Sequence, residues 1–380
     1  MFEPVYGRQN VPLLWSWDSR AALFYKYVVG VLAQSGFEAK LKAGDSLNEK
    51  TSKIDLGGYA AVRDGGAGLI DLSHRGRILV SGSEAVMFLN GLITNDMKTL
   101  AAHSWMRAAF PNVQGRLLAV VRILNRADGF LIDTEEATHQ KVVHLLDRFT
   151  LAGDFRVTDL TDQTACYSVQ GSQSAAMMRQ VFGETTAANH GEVVTAKHNH
   201  AEVTIIRATH TAEDGFDLFF EQSEAENLRT TLMGAGIEPV SDEVAEVLRI
   251  EAGIPRYGID MEETTIVTET NLDDAVSFTK GCYLGQEIIV RIKHRGHVAK
   301  KITGITLPDK IEIENGAKVL SVDDKEIGRI TSSTFSPTLN RTIALGYVKY
   351  DYLEAGTEVQ VRNIRGVVAD LPFVRGSRVN

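Results

Sequence analysis

The run Lys280-Gly281-Cys282-Tyr283-Leu284-Gly285-Gln286-Glu287 holds one of the two cysteines in the chain. A thiol in a glycine-rich turn, near backbone N–H groups and two residues after a lysine, is placed to become a nucleophile. The competing reading is a small, half-buried hydrophobe, and Cys166, inside the strand-like Ala165-Cys166-Tyr167-Ser168-Val169 run, fits that reading better. One exposed thiol does not hold an iron–sulfur cluster, which needs about four ligands. Any cluster here would be transient or shared with a partner. Two cysteines also exclude a disulfide framework and a four-thiolate metal site.

Two more segments present ligand-capable side chains. Glu213 and Asp214 precede Gly215 and so sit in a turn feeding the apolar run Phe216–Phe220. A carboxylate fixed there could accept two parallel hydrogen bonds from a planar N–H/NH2 edge, as pterins, guanines and guanidinium groups present. From these residues alone the plainer reading, a solvated acidic hairpin turn, is favoured. Ser241 opens a helix-like segment with Val244, Val247, Leu248 and Glu251 at helical spacing, ended by Gly253-Ile254-Pro255. Arg249 points off its apolar stripe, toward a ligand carboxylate or a neighbouring acid.

Charge is strongly segregated around these positions. Residues 257–279 contain no lysine or arginine but carry Asp260, Glu262, Glu263, Glu269, Asp273 and Asp274. Residues 280–301 then hold six lysines and arginines against Glu287 alone, a formal +5. Either the two segments face each other or lie in solvent, or the basic run forms an anion site for a polyanionic ligand tail or an acidic partner.

The whole chain bounds these readings. At 380 residues two or three domains are expected, and a net charge of −9 argues against generic nucleic-acid binding. The longest early apolar stretch, Ala21–Leu32, is broken by Lys26 and is too short to span a bilayer. Glu3 and Asp18 precede it, which speaks against a signal peptide, so a cytoplasmic location without membrane association is expected. No P-loop, GxGxxG, HExxH or GxSxG motif occurs.

The elements that must position these residues follow from periodicity. Residues 1–35 read as an extension of unassigned role. Gly68–Gly82 alternates like two strands joined by a tight turn at Arg75-Gly76, and Ser83–Asp96 reads as a Ser-capped helix. Arg116–Thr134 reads as two strands around Asn125–Gly129, followed by an amphipathic helix over Ala137–Phe149. The same strand and helix texture then recurs from Ala165 to Gly236. This alternation predicts an α+β body of ferredoxin-like modules over 36–300, not a parallel Rossmann sheet. Short alternating runs without helices predict a small β-barrel over 301–380.

Taken together, the lysine–glycine–cysteine segment, "RIEAGIP", "FLNGLITND", "EDGFDLFF" and the C-terminal "GRITSSTFSPTLNRTIALGYV" resemble the YgfZ family of tetrahydrofolate-binding proteins. That family is related to the aminomethyltransferase (T-protein) of the glycine cleavage system. The resemblance implies two ferredoxin-like modules and a barrel around a central folate cavity. It implies that Glu213 holds the pterin edge, that Asp96 faces the reacting folate nitrogen, and that Arg249 lies near the glutamyl tail. It further implies a folate-binding accessory role in iron–sulfur cluster assembly or repair, with Cys282 meeting a cluster, an assembly factor or a client protein. True aminomethyltransferases have no cysteine in this motif. The alternative is a folate-dependent aminomethyltransferase or demethylase, for which Asp96 is equally suited. Direct RNA binding by the basic run is disfavoured, because within that run, to Lys301, no Phe, Tyr or Trp for base stacking follows Tyr283.

Overall fold

The computed structural model describes residues 56–376 apart from 185, 187, 188 and 309, so the extension expected over 1–35 lies outside the described residues. Helix α1 (Leu56–Arg63) and strand β1 (Gly68–Asp71) lead into a first module. That module runs β2 (Gly76–Ser81), α2 (Ala85–Leu92), β3 (Trp105–Pro111), β4 (Leu117–Arg126), β5 (Gly129–Thr134), α3 (Glu136–Asp147) and β6 (Arg156–Asp159). Its sheet order is β3-β4-β5-β2-β6, antiparallel throughout. Without the edge strand β3 this is the ferredoxin-like arrangement.

The second module repeats the plan with β7 (Thr164–Gln170), α4 (Ser174–Phe182), β8 (Val193–His198), β9 (Ala201–Arg207), β10 (Gly215–Glu221), α5 (Ala225–Gly234) and β11 (Glu238–Pro239). Its order is β11-β1-β7-β10-β9-β8. The edge strand β8 is the counterpart of β3, and β1 is inserted between β11 and β7. Helix α6 (Asp242–Glu251), a long irregular segment and α7 (Gln286–Arg295) then lead to the barrel. The barrel closes in the order β12-β15-β14-β13-β16-β17, from β12 (Lys300–Leu307), β13 (Lys318–Ser321), β14 (Glu326–Ser336), β15 (Arg341–Lys349), β16 (Glu358–Val361) and β17 (Ile364–Ala369). Closure leaves no sheet edge for unwanted pairing.

Side-chain alternation explains how the modules meet. In β10, Phe216, Leu218 and Phe220 pack with Tyr167 and Val169 among the module's own helices. Phe219 and Cys166 face the other way, onto Trp105, Leu124 and Leu131 of the first module. Strands β7 and β10 thus have one face for the module's helices and one for the opposite sheet.

Two expectations are corrected. The strands of Gly68–Gly82 are not a hairpin. β1 pairs with β7 and β11, whereas β2 pairs with β5 and β6. Alternation marks a strand but does not say which sheet receives it. Ser83 does not cap α2; its N–H and hydroxyl both donate to Asp154 Oδ2 at 2.9 Å. Ser241 does cap α6, accepting the Val244 N–H at 3.4 Å.

Candidate functional site

A lone charge inside an apolar strand must find a partner or be expelled. Arg122 in β4, Asp133 in β5 and Asp217 in β10 are such charges, and all three face the opposite sheet. Asp133, fully buried, accepts from Arg122 Nε at 2.8 Å and from Arg75 Nε and Nη2 at 3.0 and 2.7 Å. Arg75 also reaches Glu135, and Arg122 Nη1 reaches across to Asp217. His210 Nε2 lies 2.9 Å from the same Asp217 oxygen, Oδ2. Burial alone would raise the Asp133 carboxyl, but Arg122 and Arg75 hold it down to about 2. Burial likewise opposes Asp217, yet His210 and Arg122 keep it well below the usual carboxylate range. Nearby, burial pushes the Cys166 thiol far up.

This charged seam borders a cavity of about 410 Å³, within the usual size range of small-molecule sites. Trp105, Val120, Tyr257, Met261 and Leu272 give it apolar walls, and Arg75, Arg122 and His210 line it too. Two donors on its wall lack any hydrogen-bond partner, Arg122 Nη2 and Trp105 Nε1. Both residues are more than nine-tenths buried. Trp105 opposes Leu124 across the β3–β4 ladder, and Arg107 opposes Arg122, so Trp105 and Arg122 are diagonal neighbours on one face. A second cavity of about 440 Å³ shares Arg75, Glu135, His210, Ile254 and Pro255 with the first and adds Arg249.

The residues singled out from the sequence fall into three groups. Asp96 is half-buried on the turn after α2, its Oδ1 accepting the Lys98 N–H at 3.0 Å. Its neighbour Asn95 donates to the carbonyls of Arg107 and Asp274, two residues of the first cavity, at 2.8 and 2.9 Å. Glu213 is only 5 % exposed and does not line either cavity. It accepts from Arg63 Nη1 at 2.9 Å, while Arg63 Nε and Nη2 grip Glu251 at 3.0 and 2.8 Å. A Cβ added at Gly376 would lie 2.6 Å from Glu213 Cδ, so Gly376 packs directly against Glu213.

Arg249 follows the second of its two sequence readings, pairing with neighbouring acids. Its Nε and Nη2 donate to Glu246, Nη1 to Asp260 and the Ile254 carbonyl, and Nη2 also to Ser332 Oγ, all at 2.6–2.9 Å. All five N–H donors of the guanidinium are thereby occupied.

The third group is the motif strap. Lys280 is 6 % exposed, and its Nζ donates to the carbonyls of Asn90, Ile93 and Asn95 at 2.7, 3.0 and 2.6 Å. It turns into the protein and not toward the thiol. Burial pulls it down to about 7, with Asp96 acting in the opposite direction. Gly281 and Cys282 are exposed, whereas Tyr283 is buried with its ring 4.9 Å from Lys280 Nζ. Gly285 has φ 74° and packs so closely that a Cβ would meet the Asn112 carbonyl at 2.3 Å. The half-buried Gln286 and exposed Glu287 then open α7. The acidic segment does not pair with the basic one in the ion pairs seen; its partners are Arg249, Arg329, Lys141 and Arg107. Among the described residues no cluster of three or more His, Cys, Asp or Glu is arranged to hold a metal ion, and no helix is long and apolar enough to cross a membrane.

Comparison with known proteins places this architecture. The aminomethyltransferase of Rubrobacter xylanophilus is 31 % identical over 82 % of this chain and 84 % of its own length. That of Aquifex aeolicus is 31 % identical over 81 % and 84 %. A putative chloroplastic transferase of Arabidopsis thaliana is 26 % identical over 82 % and 72 %. The crystal structure of glycine cleavage system aminomethyltransferase T from Bartonella henselae matches with a TM-score of 0.76 at 25 % identity, covering 84 % of this chain and 89 % of that one. Residues 36–280 match the GCVT N-terminal domain and residues 300–374 the glycine cleavage T-protein C-terminal barrel domain, so the chain belongs to the glycine cleavage T-protein family.

Proposed function

We propose that the protein binds tetrahydrofolate in the cavity between the modules and passes a one-carbon unit to or from it, as an aminomethyltransferase or related enzyme. The observation that carries this reading is the apolar-walled cavity bordered by the unpartnered N–H groups of Arg122 and Trp105. A buried donor without an acceptor costs about 1–3 kcal/mol, which a ligand oxygen would recover. The charges beside it, Arg75 and Arg122 against Asp133, Asp217 and Glu135, sum to −1 with His210 neutral and to zero with it protonated. A neutral carbonyl, such as that of a reduced pterin, suits this surrounding better than a carboxylate.

Asp96 is the acid of this proposal. Its neighbour Asn95 bonds two cavity-lining residues. From that place the Asp96 carboxylate would orient the folate amine and accept its proton as the nitrogen attacks the aminomethyl carbon and the amine leaves. Glu213 and Arg249 serve the site from behind. The Arg63–Glu213 pair fixes the loop bearing His210, and Arg249 ties α6 to the segment bearing Tyr257 and to the barrel.

A second reading, an accessory role in assembly or repair of iron–sulfur clusters as in YgfZ-like proteins, rests on one observation: Cys282 is exposed on a strap anchored beside Asp96. The relatives' own name favours the transferase. Anaerobic calorimetric titration with tetrahydrofolate tests the shared premise. Wild type and Cys282→Ser should bind alike, and Trp105→Phe, which removes one N–H, should bind about five- to tenfold more weakly. If none binds, the folate reading is withdrawn. If all bind but none forms methylene-tetrahydrofolate from an aminomethyl donor, the accessory reading replaces the transferase.

A further inference from the structure

Lys280 and Asp96 are 184 positions apart in sequence, yet the lysine holds the backbone on which the acid stands. Its three N–H groups meet three carbonyls, those of Asn90 in the last turn of α2 and of Ile93 and Asn95 in the turn that follows. The next residue is Asp96. A cation at a helix C-terminus also meets the negative end of the helix dipole. The strap is fixed at its far end as well, since the Leu284 N–H donates to the Gly91 carbonyl at 3.2 Å. The turn has further supports: Thr94 Oγ1 donates to the Ala275 carbonyl at 2.6 Å, and the Met97 N–H donates to Asn90 Oδ1 at 2.9 Å. Those bonds set the ends of the turn. Among the described residues, Lys280 alone gathers three of its carbonyls at one point.

We propose that Lys280 is a positioning residue: by binding the carbonyls of Asn90, Ile93 and Asn95 it fixes the direction of the Asp96 carboxylate and couples the strap carrying Cys282 to the candidate folate site. This rests on the reading of Asp96 as the residue facing the folate. The lysine of the motif then does not serve the thiol, and cysteine and acid are held as one unit.

Two variants of the full chain test it. Lys280→Met keeps the stem and removes all three donors. Amide hydrogen exchange at Thr94–Lys98 should accelerate about tenfold or more in it, with barrel amides unchanged. Tetrahydrofolate affinity should fall about tenfold, and adding Asp96→Asn should weaken it little further, because both changes remove one interaction. Additive losses, or unchanged protection of the turn, would overturn the proposal. If wild type fails to bind tetrahydrofolate, the functional reading falls and the exchange result alone decides the positioning role. Should Lys280→Met not fold, wild type decides: the Lys280 Nζ protons, followed by NMR, should exchange more slowly than those of exposed lysines, as three carbonyl acceptors require, and unprotected exchange refutes the anchor.

Discussion

The two modules carry the same hairpin signature and use it differently. In the first, Arg126 grips Asp128 through Nε and Nη2 at 2.9 and 2.8 Å, just before Gly129-Phe130. In the second, Arg207 grips Asp214 through the same two nitrogens, both at 2.8 Å, just before Gly215-Phe216. One residue separates the partners in the first hairpin and six in the second. The short turn stays at the surface. The long one carries His210 to Asp217 and Glu213 to Arg63, and its Thr211 is fully buried. A repeated frame can keep one copy for architecture and lengthen a loop in the other for a site.

If that division is real, the largest stability loss should come from the seam the long loop helps build, not from either clamp. Asp133→Asn leaves Arg75 and Arg122 buried without their shared carboxylate and turns an amide donor toward their own donors. A loss of about 3–5 kcal/mol is expected, read from the urea midpoint, since removing one member of a buried ion pair strands the other. A loss below about 1 kcal/mol would mean that the seam is not what joins the sheets.

Acid sharpens the same comparison without mutation. Asp133 is held at about 2, below its unfolded value near 3.9. The folded state therefore binds fewer protons than the unfolded state between these values. Its stabilisation is complete above about pH 4 and is lost as pH falls toward 2, on the order of 2 kcal/mol, with Asp217 acting in the same direction. Urea unfolding from pH 5 to 2 should show this limb, and Asp133→Asn should flatten it.

Much of this was legible in the sequence, and the gaps have physical causes. The barrel strands, the Arg116–Thr134 hairpin and the Ser241 cap announce themselves, because alternation, turn residues and caps are local. Arg122, Asp133 and Asp217 of the seam stand in the sequence as charges inside apolar strand runs, in "RLLAVVRILNR", "GFLIDT" and "GFDLFF", a pattern that marks a buried ion pair without naming its partners. The destination of β1 was not visible, since Leu69 and Ile70 would pack equally well in either sheet. Nor was the orientation of Lys280. Its proximity to Cys282 along the chain suggested service to the thiol, whereas its three acceptors lie about 190 positions away and depend on tertiary packing.

The smallest effect discriminates most finely between the hairpins. Arg126→Ala breaks a pair whose side chains are 27 % and 47 % exposed, against 26 % and 12 % for Arg207 and Asp214. Exposed pairs contribute about 0–1 kcal/mol. The first substitution should therefore fall within about 0.5 kcal/mol of wild type. Arg207→Ala should cost about 1 kcal/mol more, because Asp214 is the less hydrated acid and Arg207 also lies 5.7 Å from the Phe216 ring. It should also weaken tetrahydrofolate binding, while Arg126→Ala leaves binding unchanged, because only the second clamp closes a loop that reaches the cavity. Equal effects of the two substitutions on binding would show that the longer loop does not serve the site.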